Sequence, residues 1–569
     1  MQSGKVIPEK IPGEVYQAME DVVGKEWISD DRAILETYSK FTIAPDSALA
    51  KFEKNPIFIP ACVVLPANTE EVQSLVRIAC RYKIPIIPFT NGQQGSAPSS
   101  PGTVMIHLRR MDRILDIDKE EMTATLEPYV SYAQLQAEVM KKGLWNGGCP
   151  LATSITKIVS QVSLAGLWQT DLKYGSLNRN IVNVKTILPN GDLMCTGSTS
   201  VTGIKDFREY GPGPDILGLL RCSAATCGIF TEVTVKLHPW PGEPSLPEDV
   251  GVPSIPTYYK DVKEKKFDRP LVPKNHKIYW VEYPDLTSEI ETLYQISHAG
   301  IGIALNACGI YSDYFCSQTQ EMTEERARKH FFPPFNIYVM LAGITSPKQL
   351  EYEERVLKDI VEERGGKFLS EEYKPEVLDA LGTWNQDCLR SVCGFRMNRR
   401  GGFLSALIPS TRIDSAARDV SAMWGKILNR LKPIHITDLG GSEGTPFVYV
   451  FNRGHFSASE TDNYYSQSDP KELAKTMEFL FDCHAAMIDG KIGHWIANML
   501  FEPFTSCSPE VGPNSNLFWR KVRQAFDREG ICAPGKKAFT QEEFEAFDQK
   551  MLDAINRARV AHGLEEVKR

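Results

Sequence analysis

From Thr69 to Tyr82 apolar side chains recur at helical spacing, with Val72, Leu75, Val76 and Ala79 on one face, which predicts an amphipathic helix. Around it the pattern changes. Pro56 to Pro66, Ile84 to Phe89 and Val104 to Leu108 read as short strands, and Thr123 to Pro128 alternates. Tyr132 to Lys142 reads as a second helix, closed by Gly143 at the C′ position. Ile181 to Leu188 and Asp192 to Thr196 flank Pro189-Asn190-Gly191, a hairpin turn. Leu217 to Cys222 and the small residues Ala224 to Gly228 lead into a strand from Ile229 to Leu237. Residues 56–242 therefore read as one α/β unit, ended by Pro239-Trp240-Pro241-Gly242 and a stretch rich in Pro, Lys, Glu and Asp.

Beyond about residue 270 strand-like segments (Lys277 to Val281, Phe335 to Ala342, Phe403 to Ile408, Pro446 to Phe451) alternate with long helical ones (Leu286 to Ala299, Pro347 to Arg364, Pro470 to Met487). This predicts an α+β domain, an antiparallel sheet backed by helices. A final amphipathic helix from Asn516 to Asp527 precedes Gly530-Ile531-Cys532-Ala533-Pro534-Gly535-Lys536.

Composition narrows the class. The 569 residues are 42% hydrophobic and 24% charged, with a net charge of −8, ordinary for a globular protein and against a dominant nucleic-acid surface. No window approaches the roughly 20 apolar residues of a membrane span, and the N-terminus lacks the apolar core of a secretory signal. The 13 cysteines form no CxxC pair, which predicts reduced, packing thiols in a cytoplasmic protein and no metal site.

Chemistry first shows at Thr90-Asn91-Gly92-Gln93-Gln94-Gly95-Ser96, between two strands. Glycines and small polar residues there allow backbone N–H groups to converge on an anion such as a pyrophosphate. No helix follows, so this is neither a Walker loop nor a dinucleotide fingerprint. A long surface hairpin is the alternative reading.

Four segments, 66–95, 173–193, 221–239 and 528–539, together resemble the vanillyl-alcohol oxidase and p-cresol methylhydroxylase flavoprotein family. The resemblance implies a PCMH-type FAD-binding domain, residues 1–242 and 497–569, with an inserted α+β cap, residues 243–496. It implies that Thr90 to Ser96 bind the FAD pyrophosphate, that Asn180, Val182, Gly228 and Ile229 approach the cofactor, and that Lys536 closes the site. Cys149, Pro150 and Ser154 fall in the stretch facing the flavin. For each, a turn, strand or solvated residue is the plain alternative.

Departures from the family carry equal weight. The nearest counterpart of the cap histidine that links FAD covalently is Gly401-Gly402-Phe403-Leu404, and the pyrophosphate loop has no histidine. FAD is therefore expected to be noncovalent, with a thioether to Cys149 as the alternative. Leu151 to Lys157 replaces a glycine-rich run, and the region of the phenolate-clamping Tyr-Arg pair reads Lys491-Ile492-Gly493-His494-Trp495. His494 is the leading base candidate, since its ordinary pKa suits proton transfer near neutrality. Tyr174 is a second catalytic candidate. Trp384, Tyr449 and Phe451 are candidates for an apolar substrate pocket, and Arg396, with Arg399 and Arg400, for an anion contact; packing or solvated roles compete.

Three readings stand. The first is an FAD-dependent oxidoreductase taking hydride from an alcohol or activated C–H of an aromatic or apolar small molecule. The second is a 2-hydroxy-acid dehydrogenase of the D-lactate or glycolate type, although His435-Ile436-Thr437-Asp438-Leu439-Gly440-Gly441-Ser442 lacks the second histidine of that branch's metal motif. The third is a flavin-binding or flavin-free subunit of a larger redox complex. The resemblance also implies homo-oligomerisation and leaves room for a redox partner protein.

Overall fold

The computed structural model describes residues 10–38, 59–91, 100–148, 155–163, 166, 168, 170–240, 242, 244, 275–309, 325, 329, 333–369, 402–431, 447–465, 469, 471, 515–534, 553, 556, 560, 565 and 566; for 402–411, 428–431, 461–465 and 515–517 only the backbone course is described. Four short strands, β1 (Ile28–Ser29), β2 (Cys62–Val64), β3 (Ile86–Phe89) and β4 (Val104–His107), form a small sheet in the order β1-β2-β4-β3. β4 runs parallel to both β2 and β3. Parallel neighbours need a crossover, and the helix Thr69–Tyr82 supplies the one from β2 to β3. Its start is fixed by the sequence: Asn68 Oδ1 accepts from the Glu71 N–H at 2.8 Å, and Glu71 Oε2 reaches back to the Ala67 N–H at 2.8 Å, a reciprocal cap. Its apolar face, Val72, Leu75, Val76 and Ala79, is fully buried against Val64, Ile86, Val104 and Ile106 of the sheet.

The next strands build a second, antiparallel sheet. β5 (Ile114–Asp118) and β6 (Thr123–Leu126) make a hairpin; β7 (Leu144–Trp145) leaves it; β8 (Ile181–Ile187), β9 (Leu193–Cys195) and β10 (Ile229–Lys236) complete it in the order β5-β6-β10-β8-β9. β11 (His238–Pro239) then pairs back on β7. The segment 217–222, which introduced β10 in the sequence, is largely a short helix, Ile216–Leu220, capped by Asp215.

A seven-stranded antiparallel sheet follows: β12 (His276–Glu282), β13 (Ala304–Ala307), β14 (Asn336–Ala342), β15 (Lys367–Phe368), β16 (Gly402–Thr411), β17 (Phe447–Phe451) and β18 (Phe456–Tyr465), ordered β15-β12-β14-β13-β17-β18-β16. The helices Leu286–Ala299 and Pro347–Glu363 cover it, packing Ile290, Leu293, Ile296, Leu357 and Val361 on Val281, Leu305, Ile337, Val339 and Val448. Each is capped as its sequence dictates, by Asp285 onto the Ser288 N–H and by Ser346 onto the Gln349 N–H. The α+β cap expected from the sequence is present. β13 and β18 were not foreseen, because Ala304-Leu305-Asn306-Ala307 is too small-sided and Ser457 to Asp462 too polar to read as strands. Of the expected helix 470–487 only Lys471 is among the described residues.

The chain's end returns to its beginning. After the helix Ser515–Phe526, Ile531 to Ala533 adds to the free edge of β3: the Ile86 N–H donates to Ile531 O and the Ala533 N–H to Ile86 O, both at 2.8 Å. The buried Asp527 carboxylate holds this segment, accepting from the Ile531 and Cys532 N–H groups at 3.0 and 2.9 Å. Asp527→Ala should remove two charge-assisted hydrogen bonds and cost about 2–4 kcal/mol. Chemical denaturation of the purified chain measures it; a loss under about 0.5 kcal/mol, the range of a surface substitution, would refute the anchoring role.

Candidate functional site

Parallel sheets place ligands at the carboxyl ends of their strands. Here β3 and β4 end in register at Phe89 and His107, and Thr90 and Asn91 leave from that edge. Three remote segments meet there: Ala225, Ala533 and Phe89 pack with Val63, Ile87 and Met105 in one apolar cluster. Beside them runs the loop 222–228. Cys222, Ala224 and Ala225 adopt left-handed φ values of 59°, 51° and 64°, a conformation that costs non-glycine residues energy and collects at functional sites. The Cys222 and Ala224 N–H groups donate to Val162 O at 2.8 Å and Ser163 O at 3.1 Å, which holds the loop in this shape. Ser223 Oγ is buried with no hydrogen-bond partner among the described residues. A strained loop of small side chains with an orphaned hydroxyl, at the mouth of the parallel strands, fits a flat cofactor with polar edges.

A second cluster is aromatic. The short helix Asp171–Tyr174 carries Leu172 into the core of the seven-stranded sheet, while Trp168 just before it packs in the core of the five-stranded one. Tyr174 stacks on His238, centroids 3.8 Å apart and planes 25° from parallel, with Trp145 at 5.7 Å and Trp168 at 6.3 Å from it. Asn180 ties the pair: its Oδ1 lies 3.0 Å from His238 Nε2 and its Nδ2 donates to Tyr174 O at 3.2 Å. Burial, reinforced by Lys236 and Lys173, pulls the His238 pKa down to about 3. Burial also pushes the Tyr174 phenol up and raises the Asp171 carboxyl, which accepts from the Trp168 N–H. Burial shifts each of these three groups toward its uncharged form.

The sequence-based candidates fall into three sets. Thr90 and Asn91 begin the loop at the strand ends, as expected. Tyr174 and Asn180 come together with His238, which sequence spacing gave no means of connecting to them. Val182 and Ile229 are buried within β8 and β10. Gly228 has φ +138°, and a Cβ there would come 2.5 Å from Ile187 O, so strand contact alone requires glycine. Tyr449 is buried in β17 with its hydroxyl hydrogen-bonded to Glu460, and Phe451 is buried on the same strand. Gly92 to Ser96, Cys149, Pro150, Ser154, Trp384, Arg396, Arg399, Arg400, His494 and Lys536 lie outside the described residues. Among the described residues no His/Cys/Asp/Glu cluster could hold a metal ion, and no helix is long and apolar enough to cross a membrane.

Residues 60–197 match an FAD binding domain model. The solved structure of p-cresol methylhydroxylase with substrate bound superposes with a TM-score of 0.74 at 18% identity, covering 94% of this chain and 99% of that one. The chain carries a PCMH-type FAD-binding fold. It is an FAD-dependent oxidoreductase, and its sequence relatives include a probable mitochondrial D-lactate dehydrogenase of Danio rerio, 22% identical over 70% of this chain and 69% of that protein. The glycolate oxidase subunit GlcD of Bacillus subtilis is 32% identical over 32% of this chain, and the match spans only 38% of that protein.

The neutral histidines of this flavoprotein make its stability sensitive to acid. A histidine whose folded pKa lies below its ordinary 6.5 contributes stability that is complete above pH 6.5 and lost as pH falls toward the folded value. For His238 that value is about 3, and for His107, at the end of β4, about 4. The thermal midpoint should fall steadily below pH 6.5, and His238→Phe should flatten that acid limb. Differential scanning calorimetry across this range checks it, and an unchanged slope in the variant would contradict the assignment.

Proposed function

We propose that this oxidoreductase takes hydride from an alcohol or activated C–H of an uncharged aromatic or apolar small molecule. The observation that carries this reading is the cluster of Tyr174, His238 and Asp171, each shifted by burial toward its uncharged form. Bound FAD supplies the two-electron acceptor. Thr90 to Ser96, with the loop 222–228, would hold the cofactor's pyrophosphate and ring system through backbone groups. Tyr174 would orient the substrate through its hydroxyl, kept protonated, while His494 would receive the proton. Superposition on p-cresol methylhydroxylase along nearly the whole chain, cap included, supports a cap that shapes the substrate pocket. The seven described cysteines are free thiols, which supports a cytoplasmic setting; the reading also takes in a homo-oligomer and a separate electron acceptor.

A second reading, oxidation of a 2-hydroxy acid, draws on the names of the sequence relatives and on Lys173. That side chain is half-buried, with Glu353 favouring its charged form against burial and Arg453, and is a candidate contact for a carboxylate.

Anaerobic mixing with benzylic alcohols, para-alkylphenols, D-lactate and glycolate, followed at the flavin absorbance, separates the two. Bleaching by the uncharged compounds alone is expected; bleaching by the hydroxy acids alone would overturn the first reading in favour of the second. Tyr174→Phe should slow the reductive half-reaction about 100-fold while leaving the flavin bound, in the range of a lost acid–base or positioning group.

A further inference from the structure

The geometry points to Lys157 as a phosphate-binding cation of the FAD site, its ammonium seated on the Tyr129 ring beside the carboxyl ends of β3 and β4. A ladder of rings joins it to those ends. Phe89, last in β3, meets His107, last in β4, at 4.9 Å and 90°. His107 meets Tyr129 at 5.7 Å and 60°, and Lys157 Nζ lies 3.9 Å from the Tyr129 centroid.

The backbone of the lysine is fixed on the same scaffold. Residues 156–158 run antiparallel to 130–132, with the Tyr132 N–H donating to Thr156 O at 3.3 Å and the Ile158 N–H to Val130 O at 3.1 Å. Lys157 O accepts from the Ser160 hydroxyl at 2.5 Å, at the start of the helix Ser160–Ser163. The Val162 and Ser163 carbonyls of that helix hold the strained loop 222–228. Lys157 is thus tied both to the strand ends and to the loop beside them.

Its chemistry suits an anion. The side chain is half-buried and, among the described residues, its ammonium makes no ion pair. A ring face steadies a cation but leaves its N–H donors unspent, and a lysine meets phosphate as a point charge. Positive charge dominates around His107 as well: after burial, Arg109 and then Lys157 lower its pKa. A dinucleotide lying at the carboxyl ends of the parallel strands would bring its linked phosphates to this cation. The inference rests on that placement of FAD.

The test uses the full chain, stripped of flavin by acid ammonium sulfate and titrated by fluorescence quenching with FAD and with riboflavin, which has no phosphate. Lys157→Met keeps the stem on Tyr129 and removes the charge. It should raise the FAD Kd about tenfold at low salt, the loss of one charged contact, and leave the riboflavin Kd within about twofold. Added salt should weaken FAD binding less steeply in the variant than in the wild type, and Lys157→Arg should restore most of the affinity. Equal loss of FAD and riboflavin affinity, or an unchanged salt dependence, would make Lys157 a packing residue on Tyr129 and overturn the proposal. Wild-type chain that binds riboflavin as tightly as FAD would overturn it differently, by taking the phosphates away from this edge. Flavin that resists stripping moves the readout to phosphorus NMR of the holoprotein: Lys157→Met should shift a resonance of the bound pyrophosphate, and an unchanged spectrum likewise overturns the proposal.

Discussion

The edge of β3 is the constraint on which the site depends. A strand of four residues whose outer edge faced water would fray, and the turn that begins at Thr90 would have no fixed origin. The chain solves this with its own tail. Ile531 and Ala533 complete the hydrogen bonding of Ile86, Asp527 holds the tail's amides, and Ala533 packs beside Ala225 and Phe89. The edge from which Thr90 leaves is thus complete only when the C-terminal segment is in place.

The second organising element is the segment from Trp168 to Tyr174. Trp168 is buried in one core and Leu172 in another, so the segment cannot move with respect to either sheet without opening a cavity. Trp168 Nε1 donates to Gly175 O at 2.5 Å and Asp171 accepts from the Trp168 N–H, which closes the segment on itself. Tyr174 is presented from this rigid piece. A side chain presented from such a piece is more exactly oriented than one on a surface loop.

Burial rather than ion pairing sets the electrostatics of the joint. His238, Tyr174 and Asp171 all shift in the direction that desolvation dictates, while Asn180 Oδ1 meets the His238 ring and the Asp171 carboxyl accepts from the Trp168 N–H. The charged networks sit elsewhere, as in Arg113–Glu127 and Lys277–Glu354.

The amino-acid sequence by itself determined the elements whose causes are local. The helix Thr69–Tyr82 carries its own cap and apolar stripe, Leu286–Ala299 its Asp285 and Gly300, and Pro189-Asn190-Gly191 its turn; each forms where the pattern places it. Motif order along the chain was enough to indicate FAD and the α+β cap. What sequence could not show depends on contacts between distant residues: the polar strand β18, stabilised by neighbours on both sides, the tail on β3, and the convergence of Tyr174, Asn180 and His238. Only the tertiary structure decided which histidines lose their water, because burial is a property of the packed fold and not of the residues beside them in the chain.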